Sequence, residues 1–269
     1  IDIGADAQVS AAANQAQANP ACVYAMNLQA GAIKNIADNF REANPALEYV
    51  VLVGNDHAIP FFRYTDAALL ASEMDYNPPV KDDTTSQASL KSGYILSQDA
   101  YGAGREVSYK AGSLPIPDLA VGRLVETAED INHVLDAYLG NPTGVVTPVN
   151  ALVTGYDFLE DSAKAVRTEL QGSLGDVSVD SLIMDSSLSP LDSLAWTATD
   201  LRNILLTNRH DLVFLAGHFS ATSALAADFQ TRVKSSELLG STTDFTNSLI
   251  YSIGCHSGYN IVNADDVPG

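Results

Sequence analysis

Apolar side chains recur at helical spacing between residues 23 and 43, where Met26, Ala30, Ile33, Ile36, Ala37 and Phe40 share one face. Pro45 follows, as expected after a helix end. Residues 1–20, rich in Ala, Gln and Asn, carry helix propensity without a distinct apolar face. Residues 48–54 form a continuous apolar run and predict a buried strand, with 55–60 as its terminal turn. Residues 72–113 are polar and rich in turn formers, among them Pro78, Pro79, Gly93, Gly102, Gly104 and Gly112, and predict irregular structure. Residues 117–123 read as a further strand, and 129–139 as a helix with Thr127 at its N-cap.

The stretch Gly140-Asn-Pro-Thr-Gly144 is the expected boundary between an amino-terminal subdomain, 1–144, and a second subdomain, 145–269. Beyond it strands and helices alternate. Strands are expected at 149–154 and 177–184, helices at 162–174 and 199–208, and two apolar runs close the series at 211–217 and 248–254. Alternation at this spacing predicts an α/β fold: a mostly parallel sheet with helices on both faces, in two α/β subdomains.

Those last two runs carry the chemistry. Each has the look of a buried parallel strand, and each stops at a glycine, Gly217 before His218 and Gly254 before Cys255. A glycine lets the backbone turn and present the next side chain at the carboxyl edge of the sheet, where open α/β sheets place their sites. A thiol and an imidazole on neighbouring strand ends are the parts of a cysteine nucleophile and its base. The two lie 255 − 218 = 37 residues apart, enough for one crossover between parallel strands. Gly254 and Gly258 flank the Cys255 segment, so its sulfur can be exposed and its amide freed to donate to an oxyanion. The plainer readings are a core cysteine on a strand and a histidine satisfied in a turn. His256, next to Cys255, should point to the opposite side and is the weaker base.

At 269 residues the chain can bury a substantial core, and 46% hydrophobic with 17% charged residues is an ordinary globular composition. The net charge of −19, from 33 acidic and 14 basic residues, repels nucleic acid and anionic membrane. It also suits a basic partner, bound calcium or a salty habitat. Two cysteines, Cys22 and Cys255, exclude a small disulfide-framed domain, while a bridge between them would consume the thiol. No apolar run reaches the roughly 18 residues that span a bilayer. The chain begins at Ile1 rather than Met, which is expected of a processed or trimmed product and leaves room for a removed leader.

Taken in order, four stretches resemble clan CD cysteine peptidases of the caspase–haemoglobinase fold, in the gingipain-type branch. They are Val51-Leu-Val-Gly-Asn-Asp-His-Ala-Ile-Pro60, Leu119-Ala-Val-Gly-Arg-Leu124, Thr154-Gly-Tyr-Asp-Phe-Leu-Glu-Asp161, and the His and Cys segments, covering residues 45–262. The resemblance implies a secreted or cell-surface bacterial cysteine endopeptidase cutting protein or peptide substrates after Arg or Lys. His218 corresponds to the family histidine and Cys255 to its nucleophile. Of the acidic residues after the preceding strand, Asp157 is assigned to orient the imidazole and Asp161 to face the basic substrate side chain, with a helix N-cap as the alternative for Asp161. The oxyanion falls to the amide of Cys255 and to one near Gly217 or Phe219. The family has glycine after its histidine, whereas Phe219 stands here and adds bulk beside the cleft. The chemistry requires no cofactor, and structural calcium is implied by family and acidity rather than by a motif.

Other signals are weak. Asp56-His57 reads as a turn, since no second cluster supports zinc. Asp82-Asp83 and Asp265-Asp266 match no calcium-loop pattern. No Gly-x-Ser-x-Gly elbow, phosphate loop or dinucleotide fingerprint occurs. A rival reading is a weak or inactive peptidase-like binding or adhesion module, with Phe219 as its mark; another is a small-molecule hydrolase using the same dyad. The chain stops 14 residues past Cys255 (269 − 255), and maturation there would leave a downstream fragment of the precursor as a bound partner.

Overall fold

The computed structural model describes residues 1–75, 84–110 and 112–257, except for the side chain of Asp157. These residues form two compact units, divided between Val134 and Leu135. Among them no helix is long and apolar enough to cross a membrane.

The amino-terminal unit opens with α1 (Ala7–Ala18), started by Asp6, whose carboxylate accepts the amides of Gln8 at 2.8 Å and Val9 at 2.9 Å. Val9, Ala12 and Ala16 are its buried face, packed on α2 (Val23–Ala43). Two of those three are alanines, which is why the sequence shows no apolar stripe there. Helix α2 matches its expected bounds and buries Val23, Met26, Ala30 and Ile33. There follow β1 (Tyr49–Val53), β2 (Phe62–Thr65), α3 (Thr85–Lys91), β3 (Tyr94–Ser97), β4 (Ala103–Tyr109), β5 (Gly112–Pro117), β6 (Ala120–Leu124) and the first half of α4 (Ala128–Leu139), the helix within which the division falls. Strand β1 pairs in parallel with β6, and β2–β3 and β4–β5 are antiparallel pairs.

Two expectations are corrected here. Strand β1 is not buried, because Tyr49, Val51 and Val53 alternate outward and only Leu52 is enclosed. The stretch 72–113 is not irregular, since α3, β3 and β4 lie within it; residues 76–83 and 111 are outside the described set. Strand β3 pairs with β2, some thirty residues earlier, whereas β4 pairs with the adjacent β5, so the turn formers of this stretch sit between short elements rather than in one long loop. Below β1, Asp56 is buried and ion-paired with Arg63 at 2.6 and 2.7 Å, and it also accepts the Ser86 hydroxyl at 2.5 Å and the Phe61 amide at 2.8 Å. Thr127 caps α4, its hydroxyl oxygen accepting the Asp130 amide at 3.1 Å while Asp130 accepts the Thr127 amide at 3.1 Å.

The second unit continues with β7 (Ala151–Gly155), α5 (Glu160–Leu174), β8 (Val179–Ile183), α6 (Ala198–Leu205), β9 (Leu212–Ala216), β10 (Phe219–Ser220), β11 (Ser223–Leu225), β12 (Arg232–Lys234), α7 (Ser235–Leu239) and β13 (Leu249–Ile253). Four strands form one sheet in the order β13-β9-β7-β8, and every pairing in it is parallel. Helix α5 covers one face, with Ala163, Val166 and Leu170 against Val153, Phe214 and Ala216. Helix α6 covers the other, with Ala198, Leu201 and Leu205 against Leu152 and Val213. Strand β7, in the middle, is buried over all five residues, as expected for a strand closed on both faces. Helix α6 begins in a capping box between Thr197 and Asp200.

The parallel α/β core thus follows the sequence pattern, with two differences. The antiparallel meander β10–β11–β12, inserted between the His and Cys strands, is made of two- and three-residue pieces too short to leave a pattern. Strand β13 reads as a buried run but is an edge strand, and Leu249, Ile250, Tyr251 and Ile253 are exposed.

Candidate active site

Strands β9 and β13 run side by side in parallel, with Leu212 opposite Leu249 and Ala216 opposite Ile253. The Gly217 amide extends the ladder by donating to the Ile253 carbonyl at 3.0 Å. Gly217 and His218 follow the end of β9 and Gly254 and Cys255 the end of β13, at the carboxyl edge of the sheet; Cys255 lies in a turn whose Ser257 amide donates to the Gly254 carbonyl at 3.3 Å. Cys255 is a free, exposed thiol, and His218 is exposed as well. Cys22 is also free, so no bridge ties up either sulfur. His256 has a φ of 58° and lies in the turn after the strand.

Both glycines are required by close neighbours. A Cβ at Gly217 would stand 2.5 Å from Cε1 of Tyr156, and one at Gly254 would stand 2.0 Å from Cδ2 of Phe219. Tyr156, the residue after β7, is fully buried; its hydroxyl donates to the Leu225 carbonyl and lies 3.4 Å from that of His218. Its ring meets Trp196 edge-on at 5.8 Å, and the Trp196 indole N–H donates to the Gly155 carbonyl at 3.1 Å. Tyr156 therefore fastens the turn that carries His218 to the end of the central strand.

The imidazole of His218 is surrounded by rings. Its centroid is 5.4 Å from Tyr156, 5.1 Å from Phe158 and 5.4 Å from Phe229. Phe229 has a φ of 53°, a left-handed conformation rare for a bulky residue. The turn that imposes it is well bonded: Asp228 accepts the amides of Gln230 at 3.0 Å and Thr231 at 2.9 Å and the Thr231 hydroxyl at 2.7 Å, and its own amide donates to Trp196. Sequence reasoning misses Tyr156, Phe158 and Phe229, whose role is visible only when three separate segments meet.

Of the expected oxyanion donors, Gly217 is excluded, because its N–H is committed to Ile253. The Leu225 amide donates to the His218 carbonyl at 3.0 Å, so 218 and 225 are a hydrogen-bonded pair and the next pair, Phe219 and Ala224, is not. The Phe219 amide accordingly points away from β11. Among the described residues no backbone bond engages the Cys255 amide.

Asp157 opens the short turn Asp157–Leu159 beside the His218 ring, with its side chain outside the described set. Asp161 is exposed in the first turn of α5. It is not the helix cap, since the cap position is Leu159 and carries no side-chain bond. The neighbouring Glu160 is engaged structurally, accepting Lys164 and the Ser186 amide at 2.8 Å. The hydrogen bond from the Lys164 ammonium, with those from Ser186, holds its carboxyl down to about 2. Among the described residues no group of three His, Cys, Asp or Glu side chains could hold a metal ion.

The second unit is thus a parallel α/β sheet with His218 and Cys255 just past the ends of two neighbouring strands. No protein-family model and no curated protein matches the chain. Solved structures do. The crystal structure of the Arg-specific cysteine proteinase gingipain R (RgpB) is 18% identical, covers 85% of this chain and 45% of its own, and gives a TM-score of 0.49. The complex of Porphyromonas gingivalis RgpB pro- and mature domains is 18% identical, covers 87% of this chain and 48% of its own, and gives a TM-score of 0.51. The chain thus spans about half the length of these solved structures. The likeness is one of fold: this is the caspase-like α/β fold that gingipain has.

Proposed function

We propose that this chain belongs to a cysteine endopeptidase of gingipain type that cleaves after Arg or Lys. The observation that supports the reading is the parallel pairing of β9 with β13, since His218 and an exposed, free Cys255 each follow the end of one of these neighbouring strands. Cys255 as thiolate attacks the scissile carbonyl, and the amides of Cys255 and Phe219 donate to the oxyanion. His218 gives its proton to the departing amine, leaving a thioester on Cys255. Water then attacks the thioester, its proton passes to His218, and the acid leaves with the thiol restored. Asp157 orients the imidazole, and Asp161 meets the substrate's basic side chain. Supporting the specificity are the exposed Asp161 and the Arg preference named for the solved neighbour. Secretion, and a precursor fragment as partner, are part of the same reading; the neighbour's pro- and mature domains form a complex.

The test is labelling with thiol-reactive peptidyl-Arg and peptidyl-Lys probes. Stoichiometric modification of Cys255, lost in His218→Ala, is the expected result. A Cys255 that ignores both probes overturns the reading. A second reading, a weak or inactive peptidase-like binding module, is favoured by Phe219 lying on Gly254; it predicts probe-resistant Cys255 in an otherwise folded chain.

A further inference from the structure

We infer that Phe158 and Phe229 form an aromatic shelf selecting an apolar side chain on the residue just after the scissile bond. The inference rests on the peptidase reading and adds the leaving-group side of its specificity. In acyl transfer the histidine protonates the departing amine, so a substrate nitrogen comes within about 2.6–3.2 Å of the imidazole. The residue owning that nitrogen carries its side chain one bond further on. Rings centred 5.1 and 5.4 Å from the imidazole are within reach of that side chain.

Three features mark the shelf as built for contact. Phe158 is 61% exposed and Phe229 36% exposed, although both lie within a unit that has a substantial aromatic and aliphatic core around Tyr156. Both pack on Tyr156, Phe158 edge-on at 6.1 Å and Phe229 at 5.3 Å, so their direction is fixed from below by a buried ring. Phe229 is held at φ 53° by the Asp228 turn, a strained arrangement of the kind that collects at functional sites. Exposed rings of this sort gain by covering apolar surface and gain nothing from a small polar side chain. Asp161 and this shelf therefore address the two sides of the cut separately.

Internally quenched peptides test this, identical up to an Arg and differing only in the next residue, Leu or Phe against Ser or Asp. The wild-type chain is expected to favour Leu and Phe in kcat/KM by about tenfold, the lower end for an apolar contact. Phe229→Asn keeps a residue that tolerates positive φ while removing the ring, and with Phe158→Ala it should reduce the preference to within about twofold. Labelling of Cys255 by the peptidyl-Arg probe, which occupies the other side of the bond, establishes that each variant is folded. Equal cleavage of all peptides by the wild type, or a preference surviving in the double variant, overturns the shelf and leaves the peptidase reading standing. Absence of both cleavage and labelling in the wild type overturns the two together.

Discussion

The ring of Phe219 lies on the backbone of Gly254: a Cβ added there would stand 2.0 Å from Cδ2 and 2.3 Å from Cγ of that ring. Gly254→Ala must therefore push away a ring that sits on the segment leading to the thiol. The expected result is a loss of about 1–3 kcal/mol in stability and a clear fall in Cys255 labelling rate. The reciprocal variant, Phe219→Gly, should label faster with bulky peptidyl probes. Urea midpoints and labelling time courses check both; unchanged rates in both variants would show that the contact does not control access.

Gly217→Ala meets a less forgiving neighbour. Its Cβ would be 2.5 Å from Cε1 and 2.7 Å from Cζ of Tyr156, a buried ring fixed by its bond to Leu225. We expect destabilisation of about 1–3 kcal/mol from overpacking. Tyr156→Phe keeps the ring but strips the Leu225 carbonyl of its donor, costing about 1–3 kcal/mol. Denaturant titration of the two variants gives the numbers.

Asp161→Asn probes the assigned basic-side-chain contact. Asp161 is exposed, and exposed ion pairs contribute about 0.2–1 kcal/mol. The drop in kcat/KM for peptidyl-Arg substrates should then be modest, about two- to fivefold, and should appear in KM. A loss confined to kcat would move Asp161 out of the substrate contact.

Glu160 makes the start of α5 sensitive to acid. Its carboxyl is held from an ordinary 4.5 down to about 2 by Lys164 and Ser186. A depressed folded value contributes stability above the unfolded value, and that contribution disappears as pH falls through the folded one. The stability gap between wild type and Glu160→Gln should be full at pH 6 and close progressively between about 4.5 and 2. Chemical denaturation at pH 6, 4 and 2.5 follows it; a gap that widens in acid contradicts the assignment.

In the amino-terminal unit, Arg63→Ala leaves Asp56 buried without its cation. Removing one partner of such a pair costs about 3–5 kcal/mol, whereas removing both with Asp56→Leu and Arg63→Met should cost less. Thermal unfolding of the three chains separates desolvation from pairing.

The sequence revealed what is periodic. Helix α2, the β7–α5–β8–α6–β9 series and the crossover to β13 all follow from runs long enough to show a period. The strand ends that precede His218 and Cys255 were legible because each is an apolar run closed by a glycine. Helix α1 was faint because alanine packs closely while adding little contrast, and the meander escaped because its strands are two or three residues long. The exposure of β1 and β13 could not be read at all, since an apolar run does not say whether a partner covers it. Tyr156 and Phe229 depend on the meeting of β7 with the meander, and the choice between the Gly217 and Phe219 amides was open in the sequence because register, not composition, decides which N–H groups the ladder takes.

In the proposed peptidase, the pairing of β9 with β13 would also set when the chemistry can begin. The segments that lead to His218 and Cys255 are aligned by five parallel rungs, and a slip of a single residue would turn one strand's side chains to the other face. An unfolded or heat-loosened chain carries an inert thiol on a slack tether. In the proposed peptidase, competence to cut would thereby be withheld until the sheet has closed, shielding a newly made polypeptide from its own kind.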